Sequence, residues 1–348
     1  MTEIHLTGDS LELPGGARVR FVRTLRLPEE GTYPLPPGLG SFPLRRVADY
    51  PDTVPEQWRE RGGVMLPVYQ REAMWLRFGA TVPTALKIGV GKVCAVSGNP
   101  WSGTLTRDPQ NYVPLPRQPW LDGINSGHGT VRQFVALPLG LGATVEGQVT
   151  GSEQWGGVQL AVHGLTAAAR EAWDREQEAA RARRAEMRRR ANTLPGAGYG
   201  SAPLAQAPAG AAPAEPGAAP RRPGASPMGL GAGGRMRQQI FEDTRPVGDY
   251  RAEAHGRVFV HLASAAEWQE ITGEPAPPTP VTAQAYAAQG LPWFDYYDAD
   301  AGDLPPAPDL TAVQASGDWF PESEPDAPLE APLPTYHLND KPVQDGQW

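Results

Sequence analysis

The sequence predicts a mostly β protein in four parts. These are a sandwich or barrel-like domain over residues 1–164, one long charged helix over 165–190, a disordered Gly/Ala/Pro linker over 191–234, and a small irregular α+β segment over 235–348. Three observations carry this reading. Arg18-Val19-Arg20-Phe21-Val22-Arg23-Thr24-Leu25 alternates basic and apolar residues at the period of a half-buried strand. Six more short runs follow it: Val64–Tyr69, Met74–Phe78, Ala85–Val96, Val131–Leu137, Thr144–Thr150 and Val158–Val162. Glycine and proline, 40 and 39 of 348 residues, are about twice their usual share and gather in one later stretch.

In the N-terminal part, turn chemistry separates the runs: Gly98-Asn99-Pro100, Asp122-Gly123, Gly127-His128-Gly129 and Gly156-Gly157. Several short strands punctuated this way suit a sandwich or barrel. No G-x-G-x-x-G opens a helix, so a dinucleotide fold has no support. Val93–Gly98 with Trp101, and Val145–Gly151 with Trp155, echo each other weakly, as two related strand ends would.

The segments Gly62–Trp75 and Gln118–Ile124 resemble those of an uncharacterised, mainly bacterial protein family with some fungal relatives. The resemblance also touches Arg132–Pro138, Glu146–Gly157 and Leu291-Pro292-Trp293-Phe294. It implies one coherent domain and brings no assigned activity, catalytic residue or cofactor.

The chemistry-bearing residues are sparse. Cys94 is the only cysteine, which excludes an internal disulfide or a thiolate zinc site, and it sits in an apolar strand pattern. His255 and His261 are six apart, the wrong spacing for a helical metal pair. There is no G-x-S-x-G elbow. We expect no metal and no cofactor. The stretch from Arg117 to Thr130 is the best candidate ligand site, because it gathers Trp120, Asp122, Asn125 and His128 among turn glycines.

Thr166 to Arg190 lacks proline and glycine and is rich in Ala, Glu and Arg, all strong helix formers. Arg183, Arg184, Arg188, Arg189 and Arg190 crowd its C-terminal end, where cations complement the helix dipole and an anionic surface is a candidate partner. From Leu194 to Gly234, 30 of 41 residues are Gly, Ala or Pro with no hydrophobic period, which reads as a tether. Arg257–Leu262 then reads as a strand, Ser264-Ala265-Ala266-Glu267 as a capping box opening a helix over Ala265–Ile271, and Thr282–Gln289 as a second short helix.

Net charge is −8 and unevenly placed: residues 1–164 carry +1, 165–190 and 191–240 carry +3 each, and 241–348 carry −15. The acidic end holds two aromatic clusters, Trp293-Phe294-Asp295-Tyr296-Tyr297 and Asp318-Trp319-Phe320. Aromatics in an acidic, proline-rich segment mark docking, either on the chain's own domain or on a protein partner.

The functional expectation is a non-catalytic binding or scaffold protein whose acidic-aromatic tail engages a protein partner or docks intramolecularly. The alternatives are a hydrolase or carbohydrate-active protein using the Trp120–His128 loop, and nucleic-acid binding through the Arg-rich helix. No apolar run approaches a membrane span and Met1–His5 shows no signal-peptide pattern, so a cytoplasmic location is expected.

Overall fold

The structure is a computed structural model that describes residues 5–127, 129–192, 227–278, 293–296, 302–319 and 335–338, with backbone only at 190–192, 293–296 and 335–338. The chain forms two units, Met1–Thr166 with Ala225–Trp348, and Ala167–Gly224.

The first unit is built on one large, mostly antiparallel sheet. Strands β1 (His5–Thr7), β2 (Ser10–Leu13) and β3 (Ala17–Thr24) form a meander. The short strands β4 (Thr32–Tyr33), β5 (Gly38–Ser41) and β6 (Arg45–Arg46) lead through helix α1 (Glu56–Arg61) to β7 (Val64–Val68). Next come β8 (Ala73–Gly79), β9 (Thr84–Val90), β10 (Val93–Cys94), β11 (Val113–Leu115), β12 (Trp120–Leu121), β13 (Gly123–Gly127) and β14 (Thr130–Pro138). Helix α2 (Val145–Thr150) precedes β15 (Val158–Gly164). The alternating run of Arg18–Leu25 is β3, and it pairs with β8 over seven residues, Arg18↔Gly79 to Thr24↔Ala73.

The second unit contains helix α3 (Ala167–Asn192). Its ion pair runs Arg170–Asp174 at i, i+4, 3.0 Å.

The decisive departure from the sequence reading lies after the linker. Met228–Arg237 is strand β16 and Gly256–Ser264 is strand β17. Strand β16 pairs with β14 along its length, from Thr130↔Arg237 to Pro138↔Met228. Strand β17 lies between β15, antiparallel, and β7, parallel. Residues 228–234, read as linker, are therefore inside the sheet, and within the segment read as 235–348 residues 235–237 and 256–264 are strands of the same sheet. The physical reason is close approach. A Cβ on Gly231 would meet Leu137 Cδ1 at 2.3 Å, and one on Gly234 would meet the Pro28 carbonyl oxygen at 2.1 Å. These glycines clear room for neighbours and do not loosen the chain. Gly234→Ala is thus expected to cost about 3 kcal/mol, the upper range of overpacking because backbone must move. Gly248→Ala, with nothing within 4 Å of its Cβ, should leave the urea midpoint unchanged.

Two smaller corrections follow. Thr144–Thr150 is not a strand: Thr144 accepts the Gly147 N–H as N-cap of α2, so the echo with the Val93–Gly98 strand end has no structural counterpart. Half of the Arg117–Thr130 stretch, read as a loop, is strand, β12 and β13. The capping box at Ser264 forms as expected and opens α4 (Ala265–Thr272), which stops at Gly273. The Thr282–Gln289 helix lies outside the described residues.

Buried glutamines stitch the sheet where ladders end. Gln118 donates to the Gln239 carbonyl (3.1 Å) and accepts from the Phe241 N–H (2.9 Å). Gln110 donates to the Phe241 carbonyl (3.0 Å) and accepts from the Asp243 N–H (2.8 Å). Each amide supplies the donor and acceptor of a missing strand residue.

The stretch 302–319 packs on the same body. Leu304, Ala307, Leu310 and Val313 are buried in its core, and helices α5 (Pro308–Thr311) and α6 (Ser316–Trp319) lie within it. Ser316 donates to Glu29 (2.8 Å), and Arg132 donates to the Val313 carbonyl. Strands β18 (Trp293–Tyr296) and β19 (Thr335–Leu338) pair in parallel.

Candidate functional site

The residues marked in the Arg117–Thr130 stretch do not build an open site. Trp120 is buried in β12. Asn125 donates to the Val96 and Pro305 carbonyls, both at 3.0 Å, and accepts from the Gly127 N–H, so its amide clamps the 302–319 stretch. Asp122 is buried, and its carboxyl oxygens meet no partner at full hydrogen-bond geometry, the Trp120 side chain making at most a weak contact with them. Burial pushes its pKa well above the ordinary carboxylate range, an effect that Trp120 offsets only in part. His128 lies outside the described residues. A groove of about 630 Å³ borders Asn125, but its Arg107 is already paired with Glu242, at 3.5 Å.

Cys94 is buried; it donates to the Asn111 carbonyl and accepts from the Ser97 N–H. On α3, Arg183, Arg184, Arg188 and Arg189 are exposed, and Arg190 is described by backbone alone. Trp293, Phe294 and Tyr296 occupy β18, Trp319 ends α6 at 38% exposure, and Tyr297 and Phe320 lie outside the described residues.

A different face gathers what sequence reasoning did not. Across β9, β15 and β17, the register sets Lys87, Ala161 and Arg257 in one row and Gly89, Gln159 and Phe259 in the next. Residues two apart share a face, so both rows lie together, opposite the apolar face of Leu86, Ile88, Leu160, Val258 and Val260. Trp101 lies on Gly89, where a Cβ would come within 2.6 Å of its ring. Lys87 is held beneath it by the Ser102 and Thr104 carbonyls (2.8 and 2.5 Å), and burial lowers its pKa. Trp58, His261 and Phe259 stack in series at 4.5 and 4.4 Å. Burial lowers the His261 pKa to about 4, so its ring is neutral and Nε2–H donates to the Gly62 carbonyl.

The rim of this face is set by two turns. Gly91 and Lys92, both at positive φ, turn β9 into β10, and the Lys92 N–H donates to Gln159 (2.7 Å). The buried carboxylate of Glu146 accepts the N–H groups of Gln154, Trp155 and Gly156 at 2.8–2.9 Å, while Glu153 reaches back to Gly142 and Thr144. This double tie holds Trp155 outward at 39% exposure. Arg61, fixed by the Gln154 and Trp155 carbonyls, lies 4.6 Å from the Trp155 ring centre and 5.3 Å from that of Phe259. The Lys92 ammonium lies 4.7 Å from the Trp155 ring centre.

Charge on this rim is unbalanced. Burial, Arg257 and Arg61 all lower the Lys92 pKa. Among the described residues, no carboxylate pairs with Arg61, Lys92 or Arg257. A cation–π contact at an exposed ring is worth only about 0.5–1 kcal/mol, so Lys92 is free to trade the ring for an anion.

Fold and site together define a mostly β protein with an aromatic, cationic face. No protein family, curated protein or solved structure matches the chain. Among the described residues, no helix is long and apolar enough to cross a membrane.

Proposed function

We propose that this chain is a non-catalytic binding protein, related to the uncharacterised family it resembles, that takes an anionic ligand on the Arg61–Lys92–Arg257 face. The observation that carries the reading is the set of cations that no described carboxylate pairs, beside an exposed tryptophan on a loop tied by Glu146. Three of the polar groups singled out serve the fold: Asn125 clamps, Glu146 ties a loop, and Cys94 is buried. The buried contacts of 302–319 support a tail that docks on its own body.

The test is calorimetric titration with polyphosphate at low salt. The Lys92→Gln/Arg257→Gln double variant should bind at least about tenfold more weakly, with an affinity that depends less on salt. Equal binding by both proteins would remove the reading.

A further inference from the structure

Resting on that anion-binding reading, we infer that the ligand of this face is single-stranded nucleic acid, held by base stacking on Trp155 and by phosphate contacts from Lys92 and Arg257. Stacking platforms interleaved with cations are the chemistry by which proteins grip single strands without reading sequence. Trp155 presents an indole that is 39% exposed, and Phe259 lies in the next rank under Arg61. Arg61 is spent on backbone carbonyls of the Trp155 loop. It therefore acts as a fixed planar cation beside the ring and not as a phosphate ligand. Lys92 and Arg257 carry no such obligation: neither side chain donates to a described acceptor. The flexible stem of Lys92 lets its ammonium swing from the ring to a phosphate as a base takes its place.

The mounting is rigid where a platform needs it. The three N–H groups bound by Glu146 span Trp155, and Gln159 ties both the Lys92 turn and Gly156 (2.7 and 2.8 Å). Gln159 therefore links the platform's loop to the Lys92 turn. A simple polyanion would use the cations and leave the ring idle. A single strand uses both.

The experiment compares a short fluorescein-labelled oligothymidylate with polyphosphate of matched charge, each bound to the full chain at several salt concentrations. Variants are Trp155→Ala, whose loop stays tied through its backbone, and Lys92→Gln/Arg257→Gln, with melting temperatures confirming the fold. The expected result is tighter binding of the oligonucleotide. Trp155→Ala should weaken that binding about tenfold and leave polyphosphate unaffected. The double variant should reduce the salt slope by about 0.7 per lost phosphate contact. If both probes bind alike and Trp155→Ala changes neither, the base-stacking inference is overturned while anion binding stands. If neither probe binds, both fall.

Discussion

A chain ending at residue 226 is expected not to fold. Such a truncation leaves every strand from β1 to β15, yet removes β16 and β17 from the interior of the sheet. Strand β14 loses its longest partner, and β15 and β7 lose the strand that lies between them. The main core also loses Met228, Leu230, Met236, Ile240, Val258, Val260 and Leu262, all at most 6% exposed. Burying each contributes about 1.5–3 kcal/mol, and seven of them together match or exceed the roughly 5–15 kcal/mol by which a domain is stable. Thermal unfolding followed by near-ultraviolet circular dichroism should therefore show no cooperative transition. A chain ending at residue 278 keeps both strands and should melt cooperatively at a lower temperature, because it lacks Leu304, Leu310 and Val313. A sharp transition in the shorter chain would show that residues 1–164 are a domain by themselves, as their composition suggests.

The contrast explains what the sequence carries and what it hides. Period-two alternation in Arg18–Leu25 and β-branched runs such as Val158–Val162 report a local property, one buried face, and these segments are strands. The capping box at Ser264 is likewise local, and it forms. Glycines 229–234 look like a tether because composition records what a residue lacks; only the neighbours show that Leu137 and the Pro28 carbonyl fill that space. Thr144–Thr150 alternates like a strand, but its cap and the buried Glu146 draw it into a helix. The aromatic-cationic face was not legible for a related reason. Lys92, Trp155 and Arg257 belong to three distant segments, and register alone brings them together. Asp122 and Asn125 stood out because polar residues crowd there, and their polarity turns out to be inward.

Asp122→Asn is expected to stabilise the protein, by an amount that grows with pH. The wild-type carboxyl is buried, its oxygens meet only a weak contact from the Trp120 side chain, and its folded pKa lies well above the ordinary 3.8. Between those two values the unfolded chain has released the proton while the folded chain still holds it. Stability conferred by the protonated form is thus fully present below pH 3.8 and is lost as pH rises, by about 1.4 kcal/mol per pH unit, until Asp122 ionises in the folded chain. His261 works in the opposite sense. Its folded pKa of about 4 lies below the ordinary 6.5, so its contribution is present above pH 6.5 and is lost as pH falls toward 4. Asn keeps the shape of the side chain and cannot ionise. The variant should exceed the wild type by about 2 kcal/mol at neutral pH, the loss that accumulates at about 1.4 kcal/mol per pH unit between the unfolded and the folded pKa. Urea unfolding at a series of pH values measures the difference directly, and contributions from His261 and every other shared group drop out of it. A difference that stays flat with pH would mean that Asp122 is ionised in the folded chain and meets a cation or water that compensates its burial.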